Sequence, residues 1–270
     1  MVNKEIYGQP SFVLENELVS LAVTKLGGHM APVVFGAAND RQICPYYISP
    51  WQDENHADMP AEVLVPLRGD FFCLPFGGNA TRYQNQKHPV HGETATAEWT
   101  FVDSETLEPG ISRLRLVLDT RVRKGRVTKE ITLRDGHPVI YQRHCVEHFV
   151  GPTPVGHHAI LAMPDEEGTF AISTSPFRLG MTNPGVFSNP ASGEYQMLAE
   201  GETFGDVREI PTLFRDPAVV DCSRLPLQRG FADLFAVVAD PESSAGKPAW
   251  TAAVNTSENW VWFSLRDPKK

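Results

Sequence analysis

The sequence predicts an all-β protein, a large antiparallel β-sandwich, on three observations. Apolar and polar residues alternate over several segments at the two-residue period that sends successive side chains to opposite faces of a sheet. The 22 prolines and 21 glycines are spread along the chain and are not pooled in a linker, as expected of short strands separated by turns. No window of about 12 residues keeps the i, i+3, i+4 spacing of an amphipathic helix without an interrupting Pro or Gly. With no alternation of strand and helix, the arrangement that buries such strands is sheets packed face to face.

Residues 11–24 read as two strands meeting at Glu15-Asn16-Glu17, with Val19, Leu21 and Val23 on one side, before Lys25-Leu26-Gly27-Gly28 turns the chain. Residues 113–133 give the clearest hairpin. Leu114, Leu116 and Leu118 share a face, Lys124-Gly125 turns, Val127, Ile131 and Leu133 return, and the charges are expected on the solvated side. Residues 139–150 form the next strand, with Tyr141, Arg143 and Cys145 facing one way and Ile140, Gln142 and His144 the other. A strand over 231–239 and a hairpin over 250–265 turning at 256–259 complete the pattern. Residues 41–66 and 177–215 are rich in proline and read as long loops, where binding sites commonly sit on a rigid sheet.

At 270 residues, 41% hydrophobic and 21% charged, the chain has enough apolar surface for a sizeable core, and a single domain over 1–270 is the simplest reading. A formal charge of −9 argues against nucleic acid and acidic membranes as partners. No apolar run resembles a signal peptide or a membrane span, so a cytoplasmic location is expected. Cys44, Cys73, Cys145 and Cys222 show no metal-binding spacing and are expected to be buried free thiols. The sequence leaves the oligomeric state open.

Phosphate loops, nucleophile elbows, metalloprotease helices and dinucleotide fingerprints are absent. Histidines remain: nine of them, with His88 and His91 in one segment, His144 and His148 in a strand, and His157-His158 adjacent. Their spacing matches no structural zinc pattern, so neither metal nor cofactor is expected. Proton transfer near pH 7 is the better use of imidazole. His137, His144 and His148 are expected to be ordinary strand or turn residues, and His29 and His56 carry no signal of their own.

Three ordered blocks carry a resemblance. Arg68-Gly69-Asp70-Phe71-Phe72-Cys73-Leu74-Pro75-Phe76-Gly77, followed by His88-Pro89-Val90-His91-Gly92-Glu93 and Trp99, resembles the aldose 1-epimerase superfamily. Gly156-His157-His158-Ala159-Ile160-Leu161-Ala162-Met163 and Gly230-Phe231-Ala232-Asp233-Leu234-Phe235 are similar to later strands of that family. The resemblance implies the galactose mutarotase-like supersandwich and interconversion of the α and β anomers of an aldose by acid/base ring opening. It implies His158 as the acid at the ring oxygen and His91 beside it, with Arg68, Asn79 and Asp233 holding sugar hydroxyls. His157 is the rival of His158, since alternation sends the two to opposite faces. Arg82 is the rival of Arg68.

The family's general base is a glutamate beyond the segment that residues 254–265 resemble, and no residue here stands at that position. Glu93 and Glu258 do not match its motif. Three explanations compete: a domain short of the family's C-terminal strands, a substitute carboxylate, or sugar binding without turnover. Three readings stay open: an aldose mutarotase, a hexose-6-phosphate 1-epimerase drawing on Arg68, Arg82 and Lys87, and a carbohydrate-binding protein without turnover.

Overall fold

A computed structural model describes residues 4–38, 40–79, 81–240, 242 and 246–267, and strands dominate them. The only helices among the described residues are short 3-10 turns, at Pro50–Asp53, Glu62–Leu64, Glu93–Ala95 and Pro190–Ser192. The chain divides into two compact units, Met1–Ala162 and Met163–Lys270.

The first unit contains β1 (Lys4–Ile6), β2 (Gln9–Glu15), β3 (Val19–Thr24), β4 (Met30–Phe35), β5 (Asp70–Cys73), β6 (Thr100–Glu108), β7 (Ile111–Thr120), β8 (Gly125–Arg134), β9 (Tyr141–Glu147) and β10 (Gly156–Ala159). They form a six-stranded sheet in the order β1-β2-β3-β4-β5-β10 and a four-stranded sheet in the order β6-β7-β8-β9. Every pairing is antiparallel. Both sheets present one apolar face to a shared core: Phe12, Leu14, Leu21, Val23 and Phe72 from one, and Leu114, Leu116, Val127, Ile131 and Leu133 from the other. Burying each such side chain stabilises the unit by roughly 1.5–3 kcal/mol, so the core face is strongly specified.

The second unit contains β11 (Phe170–Thr174), β12 (Phe177–Thr182), β13 (Thr203–Phe204), β14 (Ile210–Pro211), β15 (Val219–Val220), β16 (Arg224–Leu225), β17 (Phe235–Ala239), β18 (Ala249–Asn255) and β19 (Trp260–Arg266). They form sheets ordered β16-β11-β18-β19, β13-β12-β17 and β14-β15. Leu198, Phe204, Ile210 and Cys222 make its buried cluster.

Residues 11–24, 113–133 and 250–265 form hairpins as their alternation requires. The segment 177–215, expected as a long loop, carries β12, β13 and β14, and four further details differ. The hairpin turn of β7 and β8 occupies Arg121–Lys124, because Thr120 pairs with Gly125. The strand expected over 231–239 is regular only from Phe235, and Asp233 lies in the preceding loop. Cys73 and Cys222 are buried, but Cys44 and Cys145 are exposed; Cys145 sits on the outward parity of β9. The fourth is Lys129, which is 1% exposed although the hairpin's charges were expected on the solvated side.

Lys129 shares the inward parity of Val127, Ile131 and Leu133, which decides its burial. Its ammonium donates to the Gly28 carbonyl at 2.5 Å and lies 5.1 Å from the centre of the Trp99 ring. Burial pushes its pKa down to about 8 against the opposing field of Asp70 and Cys73. Between pH 8 and 10.5 the unfolded chain then holds a proton there that the folded chain has lost, so stability rises with pH across that window. The expected rise is about 3 kcal/mol at most. Urea unfolding measured from pH 7.5 to 10.5 should show it, and Lys129→Met should flatten it.

Candidate functional site

The site is organised by the pairing of β5 with β10, in which His158 stands opposite Phe71 and His157 opposite Phe72. Directly opposed residues share a face and neighbours alternate. One face of this strand pair therefore carries Phe71, Cys73 and His158, and the other carries Asp70, Phe72 and His157.

On the first face, three rings form a stack. Phe71, 1% exposed, lies 4.0 Å from His29 at 13° and 4.8 Å from His158 at 10°, centre to centre. His91 meets the stack edge-on, 5.0 Å from His158 at 78° and 5.8 Å from Phe71 at 71°. The structure thus brings His91 and His158 together.

His91 reaches this position through a strained turn. Its φ is 63°, a left-handed conformation that costs a non-glycine residue about 1–3 kcal/mol. Two bonds hold it: the His91 amide donates to the Gly77 carbonyl at 2.6 Å, and the Gly77 amide donates to His91 Nδ1 at 3.2 Å. Gly92 follows at φ 78° in a parallel bridge with Leu74, where a Cβ would lie 2.0 Å from the Leu74 carbonyl oxygen. The hydroxyl of Thr94 accepts from the Leu74 amide at 2.9 Å, fastening the segment to the end of β5.

These rings are held neutral. Burial, with His158 adding to it, lowers the His91 pKa to about 4. Burial lowers His29 to about 3, and its ring bonds the Ala95 carbonyl through Nε2 and the Arg68 amide through Nδ1. Burial also lowers His158, partly countered by Asp70, and its buried Nδ1 has no hydrogen-bond partner among the described residues. A neutral His91 that accepts at Nδ1 carries its proton on Nε2.

The opposite face holds a second polar group. Asp70 accepts from His157 Nδ1 at 3.1 and 3.3 Å and from the Gln142 amide at 3.0 Å. Burial raises its carboxyl, but His157, Gln142 and Lys129 together leave it below the usual value. His144 stacks on Phe72 at 4.0 Å and lies 5.1 Å from His157. Asp70 and Arg68, two apart in sequence, are both buried, and each has other partners.

Arg68 is fully buried, and its guanidinium donates to the carbonyls of Ile6 and Tyr7 and to the side chain of Gln52. Asn79 organises its own loop, donating to the carbonyls of Thr81 and Gln86 and accepting from the His88 amide. Asp233, in the second unit, accepts from the Met197 and Leu198 amides at 2.9 Å each. Glu93 caps the β7–β8 turn through the Arg121 and Val122 amides, and Glu258 accepts from the Trp260 indole. Arg82 donates to the Asn85 carbonyl.

No motif marks His29 in the sequence; only its place after the Gly27-Gly28 turn hints at a special position. No group of three or more His, Cys, Asp or Glu side chains suited to a metal occurs among the described residues. A hollow of about 520 Å³ in the second unit is lined by Ser173, Thr174, Ser175, Asp206, Arg208 and Ser223 among others, and one of about 440 Å³ adjoins Asp119, Arg126, Glu147 and His148. Neither includes the ring stack, whose chemistry makes it the stronger candidate. No described helix is long and apolar enough to cross a membrane.

No family model matches the chain, and no curated protein does. Among solved structures, the Slr1438 protein of Synechocystis sp. PCC 6803 is similar at 12% identity and a TM-score of 0.47, over 98% of this chain and 88% of that one. A putative aldose 1-epimerase from Escherichia coli K12 is similar at 15% identity and a TM-score of 0.47, over 96% and 82%. Likeness at this level carries no information on site or activity.

Two outcomes follow from the site's geometry. Because His91 and His29 take up protons only near pH 4 and 3, the unfolded chain binds protons first as pH falls below 6.5. Stability should drop from pH 6.5 to 4, and the two ring C–H resonances should stay flat down to about pH 5 in an NMR titration. Replacing Arg68 by Lys removes the planar fork that serves four acceptors, the carbonyls of Ile6, Tyr7 and Pro66 and the Gln52 side chain, and should lower stability by about 2–4 kcal/mol in urea unfolding.

Proposed function

We propose that the first unit binds an aldose against the His91–His158 pair and interconverts its α and β anomers. The observation that supports this most is the pair itself: two neutral imidazoles 5.0 Å apart, one with its proton on Nε2 and the other with an unengaged Nδ1. Mutarotation needs a donor at the ring oxygen and an acceptor at the anomeric hydroxyl at the same time. The donor, a neutral imidazole, gives its N–H proton to the ring oxygen as the C1–O5 bond breaks and its electron pair passes to that oxygen, and is left an imidazolate until closure returns the proton. The acceptor takes the O1 proton as C1=O1 forms. Rotation about C1–C2 and reversal of both transfers close the other anomer.

The fixed tautomer of His91 makes it the donor and leaves His158 as acceptor, the reverse of the roles that the resemblance implies. A pair of neutral rings can carry both transfers without a glutamate. Arg68 and Asn79, both in the first unit, would have to exchange their present partners to hold sugar hydroxyls.

The second reading is sugar binding without turnover. It is favoured by one observation: Asp70, the carboxylate carried by the strand paired with β10, points to the opposite face and is engaged by His157. Polarimetry on fresh α-glucose, α-galactose and their 6-phosphates separates the readings. Acceleration is expected, with His158→Gln and His91→Gln each lowering kcat about 100-fold or more. Calorimetric binding without acceleration would favour the second reading, and neither binding nor acceleration would overturn both.

A further inference from the structure

We propose that β19 is the seam of a homodimer: it pairs antiparallel with β19 of a second copy about a two-fold axis at Phe263, joining two four-stranded sheets into one. This assignment is independent of the sugar chemistry of the first unit.

β19 ends the order β16-β11-β18-β19, and among the described residues it pairs only with β18. A terminal strand offers a row of backbone donors and acceptors to any chain that can add to it, and proteins ordinarily blunt such edges with bulges, prolines, charges or short length. The other long edge strands carry such devices. β6 has two register shifts and the carboxylates Asp103, Glu105 and Glu108. β9 carries Arg143, His144 and Glu147, and β17 joins its sheet across a register shift. β19 instead pairs with β18 over its whole length without interruption, and from Trp260 to Leu265 it holds no charge, proline or glycine.

Exposure points to what lies beyond this edge. Register places Trp250, Ala252 and Val254 of β18 on one face with Leu265, Phe263 and Val261 of β19. None of the charge behind the chain's net −9 falls on these positions. Trp250 and Val254, on a strand with neighbours on both sides, are 36% and 39% exposed, whereas Val261, Phe263 and Leu265 are 57%, 47% and 59% exposed. The excess belongs to the strand that lacks a neighbour, so a strand added at the edge covers it more directly than a layer laid on the face.

A second copy fits this edge without adaptation. Antiparallel pairing of identical strands is two-fold symmetric, and the assembly closes because each copy spends its one β19. The exposed residues of the two copies share a face only if the axis passes through a residue, since a shift of one reverses every side chain. At Phe263 the axis sets Phe263 against its own counterpart and Val261 against Leu265, giving all three an apolar neighbour. Moved one residue either way, it leaves Leu265 or Val261 facing Asn259 or Asp267. Charge at the ends agrees with this pairing: Glu258 precedes the strand and Arg266 closes it, and the start of one copy lies beside the end of the other. A strand pair about 23 Å long buries less than the ~1,200 Å² at which stable interfaces begin, so association is concentration-dependent.

Sedimentation velocity of the full chain, from micromolar to submillimolar concentration, should show a monomer–dimer equilibrium without larger species. Phe263→Lys and Phe263→Glu each place like charges together at the axis and should weaken association at least tenfold. An equimolar mixture of the two should restore it, because this register sets each substituted position against the other. If either variant fails to fold by circular dichroism, Val261→Lys with Leu265→Lys, mixed with Val261→Glu with Leu265→Glu, takes its place with the same expectation at more exposed positions. A wild type that stays monomeric throughout, an open-ended assembly, a dimer indifferent to these charges, or a mixture that fails to restore association would overturn the proposal.

Discussion

The antiparallel pairing of β5 with β10 is the constraint on which the site depends. Alternation along these two short strands divides their side chains between two surfaces. Phe71 and His158 go to the face that receives His29 and His91, while Asp70, Phe72 and His157 go to the interior shared with the four-stranded sheet. Neither group could exist without the other, because each residue's face is fixed by that of its neighbour. The pairing is short, and polar bonds reinforce it from both sides: Ile160 donates to Gly69 just beyond β10, and Asp70 holds His157 within it.

Burial gives the two faces different chemistry. Around Phe71, aromatic packing removes water without bringing in a carboxylate, and the histidines there favour their neutral forms. Around Asp70, the carboxylate has Gln142 and His157 as donors and the charge of Lys129 nearby. A buried lysine among leucines and valines would be costly alone; the Gly28 carbonyl, the Trp99 ring and the field of Asp70 offset much of that cost. One sandwich interior therefore combines an apolar core with a satisfied polar cluster beside it.

The Arg68 guanidinium shows how a motif can be legible while its role is not. Its segment stands out in the sequence as a conspicuous block before the His91 turn. In the folded chain the guanidinium ties the β1–β2 connection, the Pro66 carbonyl and Gln52 together. Asn79 and Asp233 likewise have their polar atoms engaged with backbone. Residue type announced hydrogen-bonding capacity in all three cases, but which partner takes it up depends on loops that local pattern does not specify.

The sequence by itself determined the all-β class, the hairpins over 11–24, 113–133 and 250–265, and the prominence of His91 and His158. These are consequences of period-two alternation, turn residues and local motif, which act over a few positions. Parity along β8 even contained the burial of Lys129, masked by the expectation that charge faces water. Only tertiary structure decided that His29 completes the stack, that Cys44 and Cys145 are exposed, and that Asp70 belongs with His157. The physical reason is the same throughout: a strand's alternation says which residues share a face, but what lies opposite that face comes from segments distant in the chain, and it is they that set burial, proton affinity and partner.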